Sequence, residues 1–91
     1  EKLYREERHN LGLAQVLFSK GALERHLGQI EEAQKHYAEA EKLYREERDN
    51  LGLAKVLLSM ASLELRLDQN EEAQKHYAEA EKLYDCIKKK Y

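Results

Sequence analysis

Residues 1–40 align on residues 41–80 without a gap, with thirty identities and ten differences, and Glu81-Lys82-Leu83-Tyr84 opens a third copy of the same text. A period of forty residues marks a repeat architecture, in which one unit cannot bury its own apolar face and stacks on its neighbours. The 91 residues therefore belong to one domain, too short to hold two independent cores.

Within a copy, Leu11, Ala14, Leu17, Phe18, Gly21 and Leu27 recur at helical spacing, and Leu13, Val16 and Leu23 widen the apolar arc. So broad an arc implies contacts on two sides. Gly28-Gln29 interrupts the pattern, Glu31-Glu32 put negative charge where a new helix dipole favours it, and Ala33, Tyr37, Ala40, Leu43 and Tyr44 form a narrower stripe. The chain holds no proline and no β-rich run, so each copy reads as a helical hairpin. Its inner helix covers residues 11–27 and then 51–67, and its outer helix residues 30–47 and then 70 to the end. Asn10 and Asn50 are the expected N-caps of the inner helices. The connection Glu47-Arg48-Asp49-Asn50 is a weak breaker that a helix can run through at modest cost. Gly28 suits a left-handed residue at the end of the first inner helix. Asp68 in its place costs roughly 1 kcal/mol if it keeps that geometry, with Asn70 as a compensating cap. Residues 1–9 read as the end of a preceding outer helix, 10–49 as repeat 1 and 50–91 as repeat 2 with a lengthened last helix. On this reading the chain is a stretch of a longer array.

The series Leu17, Gly21, Gly28, Ala33, Tyr37, Ala40 resembles the tetratricopeptide repeat. The second copy matches with Leu57, Ala61, Ala73, Tyr77 and Ala80, and Asp68 replaces the turn glycine. Lys20 and Met60 stand where that family has leucine, Glu24 and Glu64 where it has tyrosine, and its closing proline is absent. With the forty-residue period, the chain looks like a longer-helix variety. The resemblance implies an all-α fold of antiparallel helical hairpins stacked as a right-handed α-solenoid, with inner helices lining a concave groove that binds a peptide or partner protein. Fold by itself does not establish that function.

All ten differences between the copies fall between residues 9 and 30 of the first, whereas the outer helix repeats letter for letter. The family's groove, carried onto matching positions, gives Gln15, Phe18, Ser19, Ala22 and His26 in the first copy and Lys55, Leu58, Ser59, Ser62 and Arg66 in the second. Four of these five pairs differ. Diversification for a ligand explains that, and so does drift after a duplication, or a builder's choice.

Sixteen basic against eighteen acidic residues leave a net charge of −2, so no basic excess recommends nucleic acid or an anionic membrane as partner. Lys88-Lys89-Lys90 suit a helix C-terminus and fall short of a lipid-binding cluster. One cysteine, Cys86, excludes an intrachain disulfide framework and suits a reducing compartment, so the expected location is cytoplasmic. His9, His26, His36 and His76 include no i, i+4 pair and no H-E-x-x-H, and they read as structural or solvated residues with no metal. Glu31, Glu32, Glu39, Glu41, Glu46 and Glu47 interleave with Lys35, Lys42 and Arg45 as a solvated face. Tyr4, Tyr44 and Tyr84 are copies of one another, as are Tyr37 and Tyr77, which marks them as core or seam residues. Leu83, Ile87 and Tyr91 carry the apolar stripe onward. No phosphate loop, nucleophile elbow or dinucleotide fingerprint occurs, so neither catalysis nor a cofactor is expected. The leading expectation is a non-catalytic interaction scaffold. The alternative is a structural or engineered repeat that binds copies of itself, stacked end to end or by domain exchange, because two repeats and a stub leave end surfaces uncovered.

Overall fold

Neighbouring helices in the sequence are neighbours in space. The computed structural model describes the backbone of residues 2–90 and the side chains of residues 9–89. It contains α1 (Lys2–His26), α2 (Ile30–Glu46), α3 (Asn50–Arg66) and α4 (Asn70–Lys90), and no strand among the described residues. The roles expected of the Tyr4 and Tyr91 side chains lie outside the described residues. α1 packs along α2 and α3 along α4, α2 joins the two hairpins by packing on α3, and α1 touches α3. This is an all-α stack of helical hairpins, a two-unit solenoid.

Three turns of identical form connect the helices. In each, the middle residue has positive φ: Gly28 at 80°, Arg48 at 56° and Asp68 at 60°. The next residue donates its N–H back to the helix, Gln29 to the Glu24 carbonyl (2.8 Å), Asp49 to Tyr44 (3.0 Å) and Gln69 to Glu64 (2.8 Å). That 6→1 bond satisfies a carbonyl the helix end would otherwise orphan. The left-handed geometry foreseen at Gly28 is thus kept by Asp68, and also by Arg48.

Three capping expectations are corrected. Asp49, not Asn50, is the N-cap of α3, and its Oδ1 accepts from the Gly52 N–H at 3.0 Å. Asn50 is already helical. In the first copy Asn10 caps nothing, because α1 passes through residues 8–10 without a break. Its side-chain amide instead donates to Glu47 Oε2 (3.1 Å), tying α1 to the turn before α3. Asn70 likewise opens α4 from within, Gln69 standing just ahead of it.

The core runs along the seam between hairpins. Tyr37, Val56, Leu57 and Leu63 are its largest fully buried side chains, with Ala14, Ala33, Ala40, Ala54, Ala61, Ala73 and Ala80 where helices approach closely. Contacts on both sides hold for α3, whose Leu53, Val56 and Leu63 are buried, but not for α1, whose equivalent Leu13, Val16 and Leu23 face solvent. The difference is the cover that α2 gives to α3.

Candidate functional site

Two tyrosines of α2 set the close approach of the inner helices. The Tyr37 ring lies over Gly21 of α1, where a Cβ would stand 2.8 Å from Tyr37 Cε1. The Tyr44 ring lies over Gly52 of α3, where a Cβ would overlap it. Each glycine is required because backbone there meets an aromatic face. Phe18 meets Tyr37 edge to face, with ring centroids 5.8 Å apart at 64°.

This packing opens a cleft of ≈ 330 Å³ at the junction of α1, α2 and α3. Gln15, Phe18 and Ser19 form one wall, Tyr44 the back, and Asp49, Leu51, Gly52 and Lys55 the other wall. Of the ten groove residues expected from the sequence, four therefore come together: Gln15, Phe18, Ser19 and Lys55. Ser59 is half-buried beneath the same surface, Ala22 and Ser62 are half-buried further along it, and His26 and Arg66 are exposed in the last turns of α1 and α3. Leu58 lies elsewhere, in an open cleft of ≈ 510 Å³ against α4, with Gln74, Tyr77, Ala78, Glu81 and Tyr84. This second cleft is the repeat equivalent of the first, Leu58 replacing Phe18 and Tyr84 replacing Tyr44, without a further inner helix to close it. Sequence reasoning missed Tyr44, which it assigned to the seam, and Asp49, which it assigned to a weak turn. Asp49 carried a usable signal, since it is one of the ten positions at which the copies differ.

The polar groups near the cleft are fixed by packing. Burial pushes the Tyr37 phenol above the ordinary tyrosine range, against a partial offset from Arg25, and its hydroxyl is buried with no hydrogen-bond partner among the described residues. Burial, then the Asp49 carboxylate, do the same to Tyr44. Away from the cleft lining, His36 Nδ1 bonds Glu24 Oε1 at 2.5 Å and His76 Nδ1 bonds Glu64 Oε1 at 2.7 Å. Each pair ties an outer helix to its inner helix around a nearly buried carboxylate. Glutamates in place of the family's tyrosine are thereby partnered, as buried polar groups must be. Arg45 bridges its own helix and α4, bonding Glu41 Oε2 and both carboxylate oxygens of Glu79 at 2.7 to 3.0 Å. The hydrogen bond from Arg45 holds the Glu79 carboxyl below its ordinary value, and Glu79 in turn raises Arg45.

No three His, Cys, Asp or Glu side chains converge as metal ligands among the described residues, and Cys86 is exposed as a free thiol. No helix among them is long and apolar enough to cross a membrane. What the surface offers is shape, aromatic rings and a few polar groups. No curated protein and no solved structure matches the chain. A sequence model of the tetratricopeptide repeat matches residues 8–85, most of the chain, and with two stacked helical hairpins, tyrosines seated on small residues and turns of one form, the chain belongs to the tetratricopeptide repeat family.

Proposed function

We propose that the cleft of Gln15, Phe18, Ser19 and Lys55 is the centre of a groove that binds an extended peptide or a segment of a partner protein. Membership of the family supports an interaction scaffold in general, and such repeats are non-catalytic modules as a rule. The observation that carries the finer reading is where part of the variation lies: Gln15 against Lys55 and Phe18 against Leu58 are two of the ten differences between the copies, and they line the two clefts. Exposed Lys55, with His26 and Arg66 further along the same face, makes the inner helices more positive than the Glu-rich outer ones. The matching ligand carries both apolar and acidic side chains, Phe18 and Tyr44 receiving the first and Lys55 the second. The family's carboxylate-binding members use asparagine and lysine where this chain has Ser19 and Ser59, so an internal acidic segment fits better than a free C-terminus. The second reading, self-association, is favoured by the apolar side chains that α1 and α4 leave exposed.

The test is calorimetry with a panel of acidic, leucine-containing peptides. Lys55→Glu and Arg66→Glu should each weaken any peptide bound at least about tenfold, with unchanged circular dichroism, while Lys35→Ala on the exposed face of α2 leaves binding intact. Phe18→Ala is a poorer probe, because Phe18 also supports Tyr37. If Lys35→Ala damages binding and both reversals leave it unchanged, the groove is not the site.

A further inference from the structure

The molecule contains both halves of an interface it uses once internally. α2 and α4 are identical from Glu31 to Tyr44 and from Glu71 to Tyr84. The α2 face is covered by α3, and Tyr44 is 3% exposed, whereas on α4 the identical Tyr84 is 36% exposed and Tyr77 39%. α1 repeats the α3 text at Leu11-Gly12-Leu13-Ala14, Val16, Leu17 and Leu23. Val56 and Leu63 are buried beneath α2, but Val16 and Leu23 are 60% and 57% exposed. The most telling position is glycine. A Cβ on Gly52 would overlap the Tyr44 ring, while one on Gly12 would meet none of the described residues within 4 Å. Among the described residues, Gly12 is an open seat of the shape that Tyr44 fills at Gly52, and Tyr84 is a ring without such a seat.

We propose that α4 of one copy docks on α1 of a second copy in the register by which α2 packs on α3, Tyr84 seating over the second copy's Gly12. The second copy then closes the open cleft beside Leu58, its Leu11, Gly12 and Gln15 taking the places that Leu51, Gly52 and Lys55 hold in the first cleft. The contact is heterologous, so it adds copies head to tail instead of closing a dimer.

Two departures make this contact weaker than its internal template. Lys20 replaces Met60, which lies in the seam beside Tyr37 and Leu63, so the docked Tyr77 meets a lysine stem and its charge. Asp85 replaces Arg45, so the position that bridges to Glu79 internally faces the second copy's Glu39 with like charge. Like charges opposed at an interface disfavour it.

The experiment is sedimentation of the full 91-residue chain over a concentration series to the high micromolar range, with Gly12→Ala and the pair Lys20→Met, Asp85→Arg alongside. The mass of the unaltered chain should climb past the dimer. Gly12→Ala should stay monomeric with an equal or higher Tm, because alanine is the better helix former and has free space in the monomer. The paired change should bring association to a concentration about tenfold lower. A strictly monomeric unaltered chain overturns the proposal. So does Gly12→Ala associating like the unaltered chain, which would point to domain exchange or another surface, and so does a paired variant that associates no more readily.

Discussion

Arg5-Glu6-Glu7-Arg8-His9-Asn10 and Arg45-Glu46-Glu47-Arg48-Asp49-Asn50 differ at one residue, yet the first lies inside a continuous helix and the second is broken by a left-handed turn. Turning at Arg48 puts a non-glycine residue at φ 56°, which costs on the order of 1 kcal/mol. Two gains offset it. Asp49 caps α3 through the Gly52 N–H, a bond worth about 1 kcal/mol, and the reversal lays α3 on α2 so that Leu53, Val56 and Leu63 leave water. His9 stands where that capping carboxylate would be, and the exposed Leu13, Val16 and Leu23 show that α1 gains no such cover from the described residues. A weak breaker breaks only when cap and packing agree.

The comparison is sharpest at its glycines. Gly52→Ala should destabilise the chain by about 1 to 3 kcal/mol by forcing a methyl into the Tyr44 ring, whereas Gly12→Ala should stabilise it by up to about 1 kcal/mol. Thermal unfolding of the two variants would show shifts of opposite sign, and equal shifts would dissolve the distinction drawn between the two segments. Next in size is Asp49→His, which converts the second segment into the first. It should cost about 1 kcal/mol through the lost cap, with crosslinking between chains rising if α2 and α3 then fuse across residues 47–49. Arg48→Gly acts in the other direction: the left-handed penalty it removes, less the extra entropy that glycine loses on folding, leaves a gain of some tenths of a kcal/mol, readable in the urea midpoint.

Dependence on pH is gentler and two-sided. Tyr37 and Tyr44 have raised folded values, so their contribution is complete below the unfolded tyrosine value of 10.0 and declines as pH rises beyond it. Alkaline unfolding should begin there and coincide with tyrosinate absorbance. Glu79 has a lowered folded value, so its contribution is present above the unfolded 4.5 and is lost as pH falls below it. The exposure of the Arg45–Glu79 pair makes this the smallest effect, one that added salt should erase.

The helices, their order and the turn at Gly28 were legible because periodicity and glycine report directly on backbone geometry. Arg48 was not, since an arginine carries no sign of left-handed backbone and only its neighbour Asp49 reveals the cap. The His36–Glu24 and His76–Glu64 pairs join residues twelve apart across a turn, a separation that no helical spacing rule connects. Within the candidate groove, the α1 wall and Lys55 were named by carrying the family resemblance onto matching positions, and the structure brings them to one cleft. Tyr44 did not, because one stripe residue can both close a seam and back a cleft.

The identity of α2 and α4 has a consequence for how the chain finds its topology. The residues 31–44 and 71–84 offer α1 no means of telling its proper partner from the other, so mispairing of α1 with α4 carries little penalty at the contact itself. What separates the outcomes is the length of chain to be closed: three residues between α1 and α2, against the whole intervening hairpin for α4, a difference of roughly 2 kcal/mol in loop entropy. The connectivity of this fold is therefore encoded in the shortness of its turns, and hairpins that close locally should form before they join. A long flexible insertion at Gly28 would leave every packed face intact and still blur which helix belongs where.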